Sequence, residues 1–152
     1  MLKKKVTLTV NGRTQTVKTD PDRTLLRVLR EDLGLTGTKD SCSHGDCGSC
    51  IVVMNGQAVN SCLVLAPQAE GAEVITVEGL ALNGSLHVLQ RCFIDAGAIQ
   101  CGFCTPGMLM SCFALLKVNP NPSISDIRAA ISGNLCRCTG YQAIIDAVGN
   151  AA

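Results

Sequence analysis

The stretch TKDSCSHGDCGSCIVV, residues 38–53, crowds Cys42, Cys47 and Cys50 into one loop and runs into a strand-like Ile51 to Met54. Asn55-Gly56 then marks a hairpin turn, Gln57 to Asn60 returns, and Cys62 follows. Upstream, Val6-Thr-Leu-Thr-Val10 alternates like a half-buried strand. Asn11-Gly12 is another hairpin signal, and Arg13 to Lys18 comes back as the partner strand. Asp20, Pro21 and Asp22 break the pattern. Thr24 then caps a predicted helix over 25–33, with Leu25, Leu26, Val28, Leu29 and Leu33 on its apolar face. Gly34 and Gly37 end it. Cys62 to Ala66 and Glu73 to Val77 read as further short strands. Two strands, a helix and more short strands make an α+β pattern.

Past Glu78-Gly79 the period changes to helical. Residues 86–96 have helical spacing. Thr105-Pro106 opens a helix, with Thr as cap and Pro at the first position, that runs to about Val118. Asn119-Pro120-Asn121-Pro122 stops it. Ser123 or Ser125 caps the next helix, through about Ile131, and Gly140 to Val148 reads as the last. The second half is all-helical, so the predicted domains are 1–80 and 81–152.

Each half is small for a self-sufficient core and calls for a staple. Ten cysteines supply it. The net charge of +1 excludes an electrostatic case for nucleic acid. Charged residues make up 16%, against a typical value of about 25%, which fits a chain that hides surface in a partner. The start Met1-Leu2-Lys3-Lys4-Lys5 is basic, but Thr7, Thr9 and Asn11-Gly12 interrupt the apolar run that a signal peptide needs. No stretch approaches a membrane span. The expected compartment is cytoplasmic, where thiols stay reduced and clustered cysteines mean metal more often than disulfides.

Cys42, Cys47, Cys50 and Cys62 are spaced Cys-x4-Cys-x2-Cys-x11-Cys. The x4 and x2 steps match the plant-type ferredoxin pattern for a [2Fe–2S] cluster. Zinc also suits four thiolates, but structural zinc sites use two short hooks rather than three ligands in one loop and a fourth alone. Gly45 and Gly48 let that loop bend with positive φ and aim N–H groups at the sulfurs. His44 lies between ligands, yet a Rieske centre needs two histidines, and His87 sits away from any cysteine hook. His44 is therefore read as a loop residue. Cys101, Cys104, Cys136 and Cys138 form a second set, Cys-x2-Cys then Cys-x-Cys, at helix boundaries. Spacing alone leaves zinc or iron–sulfur open there, although Cys-x-Cys is uncommon for structural zinc. Cys92 and Cys112 fall among apolar helical neighbours and read as buried small side chains.

These residues resemble a known family. TKDSCSHGDCGSCIVV followed by Cys62, QCGFCTPG at 100–107 and GNLCRCTGY at 133–141 are similar to the two cluster motifs of the molybdenum hydroxylases. That family includes xanthine dehydrogenases, aldehyde oxidoreductases, carbon monoxide dehydrogenases of the molybdenum–copper type and dehydrogenases of N-heteroaromatics. The resemblance covers essentially the whole chain. It implies an N-terminal β-grasp, ferredoxin-like domain and a C-terminal four-helix-bundle domain, each with a [2Fe–2S] cluster. It implies a small electron-transfer subunit that takes electrons from molybdopterin in a large partner subunit. The helical-domain cluster would face that pterin, and the ferredoxin cluster a FAD-binding medium subunit or an external acceptor. Gln100 resembles the pterin-bonding glutamine, Cys138 the ligand nearest the pterin, and Gly102 a cluster-loop glycine. The chain departs from the family loop at Ser41 and Ser49, both small and polar. Rival functions are a free-standing ferredoxin-like module, which needs only one cluster, and a colourless zinc scaffold.

Reading Cys92 and Cys112 as core residues predicts that Cys92→Ala and Cys112→Ala keep their full iron content. Iron analysis checks this, and loss of iron in either variant would overturn the ligand sets.

Overall fold

Asn11 and Gly12 take φ values of 50° and 76°, the left-handed pair that a two-residue hairpin requires. Strand β1 (Lys4–Val10) therefore folds back onto β2 (Arg13–Thr19), with Lys4 opposite Thr19 and Val10 opposite Arg13. Asn55 and Gly56 repeat the device between β3 (Ile51–Met54) and β4 (Gln57–Asn60). The last strand, β5 (Glu73–Ile75), enters the middle, parallel to β1 and antiparallel to β3. The order is β2-β1-β5-β3-β4. The structure is a computed structural model that describes residues 2–152; Met1, which opens the basic start, lies outside the described residues.

Alternation along the strands gives the sheet two apolar faces. On one, Val6, Leu8, Val10, Val52 and Val74 pack against Leu25, Val28 and Leu29. Those three belong to α1 (Leu25–Arg27), capped by the Thr24 hydroxyl, and to the π-helical turn that continues it (Val28–Asp32). The predicted helix over 25–33 thus exists but ends in wider turns, closed by Leu33 N–H donating to the Val28 carbonyl at 3.1 Å. On the other face, Val53 joins a second core made with the helices.

Four helices build that second core: α2 (Val88–Asp95), α3 (Thr105–Val118), α4 (Ile124–Ile131) and α5 (Gln142–Ala151). Leu89, Phe93, Met108, Met110, Ile127 and Ile144 are its largest fully buried members. Helix α3 is buried on every side from Gly107 to Phe113 because it packs on β3, β4 and α4 at once. The fold is therefore a ferredoxin-like α+β sheet domain joined to a helical domain. No helix among the described residues is long and apolar enough to cross a membrane.

Several boundaries differ from the sequence expectation for local reasons. Residues 62–66 are not a strand. Leu63 N–H turns back to the Asn60 carbonyl, only Leu65 bridges Thr24, and Pro67, which lacks an N–H, opens a 3-10 turn (Ala66–Ala69). Helix α2 starts two residues late because His87 caps it. Its Nδ1 accepts from Leu89 N–H at 3.2 Å while Gln90 Oε1 accepts from His87 N–H. Burial, then the charges of Lys117 and Arg91, lower the His87 pKa and keep that nitrogen a free acceptor. Ser123, not Ser125, caps α4, with Asp126 reaching back. Cys104 rather than Thr105 stands at the N-cap position of α3, without a side-chain capping bond. Helix α5 begins at Gln142, after Gly140 and Tyr141 turn the chain in the left-handed region.

Gly107 of α3 lies on the backbone of Gly48 in the loop before β3: a Cβ at 107 would run into the Gly48 carbonyl. Gly107→Ala is therefore expected to cost about 1–3 kcal/mol through overpacking. Urea denaturation checks it, with a lowered midpoint and an unchanged slope as the predicted result.

Candidate metal centres

The loop before β3 is tied down at several points. The Arg30 guanidinium donates to the carbonyls of Thr36 (2.9 Å) and Thr38 (2.7 Å). Lys39 N–H donates to the Ser49 carbonyl, and the Asn60 amide to the Gly45 carbonyl. Gly48 must be glycine twice over. Its φ is 69°, and a Cβ there would meet the Gly133 carbonyl and the Asn134 side chain. Gly45 and Gly102 also lie in the left-handed region, at 91° and 81°.

This loop brings the first four thiols together as two pairs, Cys42 with Cys47 and Cys50 with Cys62. The backbone N–H of His44, then that of Cys47, points at Cys42 and lowers its thiol to about 6, a thiolate at neutral pH. Cys50 and Cys62 are buried, and burial, then the neighbouring Cys50, pushes Cys62 up to about 12. The His44 ring turns outward, its Nε2 3.0 Å from Asp46, and joins neither pair.

The second four thiols also form two pairs. Cys101 and Cys138 are exposed, with their sulfurs 3.6 Å apart, and Cys104 lies against Cys136. Cys104 stands on the N-terminus of α3, where free N–H groups favour negative charge. Burial, then Cys136, drives Cys104 up to about 12. At Cys136 burial acts upward too, but the hydroxyl and N–H of Thr139, the Cys138 N–H and the Cys104 thiol together outweigh it and hold the thiol at about 7. Neutral-pH charge thus collects on Cys136. Among the described residues no three His, Cys, Asp or Glu side chains enclose a point suited to a single ion. The donors stand two by two, all sulfur.

Other residues position these sets. Asn134 is buried between them: its Nδ2 donates to the Gly48 carbonyl at 3.1 Å, and its Oδ1 accepts from the Ser111 hydroxyl at 2.8 Å. Next to it, Leu135 N–H donates to the Cys47 carbonyl at 2.9 Å. Tyr141 sits at φ 70°, a costly conformation for an aromatic residue. Its hydroxyl offsets that cost by accepting from Cys136 N–H at 2.8 Å and donating to the Asn134 carbonyl. An open cleft of about 600 Å³ runs between the sets, past Cys47, Cys101, Cys104, Phe103 and Leu135. Gln100 is exposed beside Cys101. Cys112 is fully buried in α3, its thiol pushed to about 12 by desolvation, and Cys92 packs against the same core. Sequence reasoning gave no role to Asn134, Thr139 or Tyr141, although all three lie in the quoted GNLCRCTGY. A buried polar residue looks like any loop residue in a string of letters.

Comparison with known proteins agrees with this geometry. A family described as "2Fe-2S iron-sulfur cluster binding domain" matches residues 8–81, and one described as "[2Fe-2S] binding domain" matches residues 76–149. The nicotinate dehydrogenase small FeS subunit of Eubacterium barkeri is 50% identical over 143 residues, which is 94% of this chain and 91% of that protein. The crystal structure of quinoline 2-oxidoreductase from Pseudomonas putida 86 superimposes with a TM-score of 0.95 at 46% identity, covering 98% of this chain and 92% of that one. The aldehyde oxidoreductase of Desulfovibrio desulfuricans ATCC 27774 has a TM-score of 0.94 at 43% identity, over 97% of this chain but 17% of that much longer one.

Asn134→Leu would strand the Gly48 carbonyl and the Ser111 hydroxyl inside the junction. The expected cost is about 1–3 kcal/mol for the polar groups left unpaired. A thermal or urea unfolding curve measures it, and a wild-type midpoint would contradict the bridging role.

Proposed function

We propose, for a chain that belongs to the family of small [2Fe–2S] subunits of the molybdenum hydroxylases, that it relays single electrons from a molybdopterin centre in a large partner subunit through two clusters. The acceptor in this reading is FAD in a medium subunit or an external oxidant. The chain is thus the iron–sulfur part of an oxidoreductase and makes or breaks no substrate bond itself. Cys42, Cys47, Cys50 and Cys62 hold the first cluster, and Cys101, Cys104, Cys136 and Cys138 the second.

The pairing of the thiols carries this assignment. Two irons ask for two thiolates each, and side-chain contacts join the thiols of each set in twos, Cys42 with Cys47, Cys50 with Cys62, Cys104 with Cys136 and Cys101 with Cys138. When bound, the clusters supply one-electron redox chemistry, which no side chain here offers. The protein's own work is to hold the thiolates, aim N–H groups at them and control access. Cys42 has its N–H donors in place, and Cys104 stands at a helix N-terminus.

Gln100 and Cys138 face the pterin in this reading. Their exposure beside Cys101, with Ile99, Phe103 and Leu135 also exposed, supports a partner surface at that end. We place the domain boundary between residues 80 and 81 and read α2–α5 as a four-helix bundle. The compartment in this reading is the cytoplasm, where thiols stay reduced and free to take a cluster. Of the substrate classes open to the family, the relatives named for nicotinate and quinoline support an N-heteroaromatic for the whole complex.

Two substitutions in the intact complex test the reading. Cys42→Ser should halve the iron content and remove one of two EPR signals, and loss of both would contradict separate ligand sets. Gln100→Ala should leave the iron unchanged yet slow the reduction of the clusters by substrate. Undiminished reduction would remove Gln100 from the pterin contact.

A further inference from the structure

The Thr139 hydroxyl lies 3.1 Å from Cys136 Sγ, and the Thr139 N–H lies 3.4 Å from the same sulfur. The direction of the hydroxyl proton is set by a third contact. Tyr141 N–H donates to Thr139 Oγ1 at 3.3 Å, so the oxygen acts as acceptor on that side and its proton goes to the sulfur. Tyr141 is in turn held by its phenol, which accepts from Cys136 N–H and donates to the Asn134 carbonyl. The turn from 136 to 141 is therefore a closed circuit: the phenol fixes the backbone at 141, that backbone orients the hydroxyl of 139, and the hydroxyl addresses the sulfur of 136.

This arrangement is peculiar to one ligand. Among the described residues, no other side-chain hydroxyl donates to a cysteine sulfur. Cys101 and Cys138 meet each other through their side chains. Cys42 is served by backbone N–H groups, which a substitution cannot delete. At Cys50 the thiol instead donates to Asn60 Oδ1 at 3.7 Å, so Thr139 is where a side-chain hydroxyl donates to a ligand sulfur.

We propose that Thr139 is a positioning residue that raises the reduction potential of the helical-domain cluster through its hydrogen bond to Cys136 Sγ. The inference rests on the reading that Cys136 holds that cluster. Reduction adds one electron and no proton, and it makes and breaks no bond. The sulfur becomes more negative, and a donor aimed at it stabilises the reduced form more than the oxidised one. Without the hydroxyl the reduced form loses that support, and the electron moves toward the other cluster.

EPR-monitored potentiometric titration of the intact iron-loaded complex, with dithionite as reductant, tests this in wild type, Thr139→Val and Thr139→Ser. The Val variant keeps the shape and loses the hydroxyl. Its helical-domain signal should titrate at a more negative potential, with electron partition between the clusters shifted about tenfold, ~59 mV for a one-electron couple. The ferredoxin-domain signal should stay in place, and the Ser variant should titrate like wild type. An unchanged midpoint in Val at full iron content would overturn the proposal, and so would an equal shift of both signals. If Val fails to load, Thr139→Ala is judged by the same shift. Loss of the second cluster from both Val and Ala, with Ser intact, would mean that Thr139 only holds the loop, and would also overturn it. Failure of the ligand reading shows separately, as a wild-type protein without a second signal.

Discussion

Leu135 N–H donates to the Cys47 carbonyl, and the neighbouring Asn134 amide donates to the Gly48 carbonyl. These two bonds join the loop that carries Cys136 and Cys138 to the loop that carries Cys47 and Cys50. Much of the architecture follows from the need to make them. Gly48 and Gly107 lack side chains because the loop backbones and α3 must come within contact there. Helix α3 is buried from Gly107 to Phe113 because it closes the sheet domain on one side and the helical core on the other. Ser111 is a polar residue in that helix, and its hydroxyl is used by Asn134. A junction of buried backbone carbonyls tolerates no missing donor, so the polar residues there are as constrained as the cysteines.

The same packing sets four of the thiols apart electrostatically, two in each set. In each set desolvation makes one member prefer its proton, the buried Cys62 and the half-buried Cys104 both near 12, while another is held low by aimed donors, Cys42 near 6 and Cys136 near 7. A bare protein cannot carry four thiolates in so small a volume. The mismatch between burial and charge is what a cationic centre relieves, and loading is coupled to proton release. Cys101 and Cys138 leave the edge of the second set open to solvent, beside the exposed apolar side chains of Ile99, Phe103 and Leu135.

Much of this was legible in the sequence because its signals are local. Asn11-Gly12 and Asn55-Gly56 specify hairpins by themselves, and Pro120 and Pro122 stop a helix wherever it packs. The cysteine spacings named their own loops. Features that depend on distant partners were not legible. The expected strand at 62–66 is a turn because Leu63 N–H folds back onto the Asn60 carbonyl and the chain crosses to bond with Leu25 and Arg23, far back in the sequence. The π-helical turn after α1 carries no mark in its letters. Thr139 and Tyr141 stood inside a quoted motif, yet their roles depend on a left-handed residue at 141 that composition would never propose. The sheet order, with β5 entering between β1 and β3, also depends on pairing across more than sixty positions.

The central claim is that eight of the ten cysteines hold two [2Fe–2S] clusters. It is tested most directly by iron and acid-labile sulfide per chain, with low-temperature EPR after dithionite reduction of anaerobically purified protein. The account predicts about four iron and four sulfide per chain and two distinct spin-half signals, since each all-thiolate set takes one two-iron cluster. About two iron with a single signal, or a colourless protein that holds zinc, would contradict it.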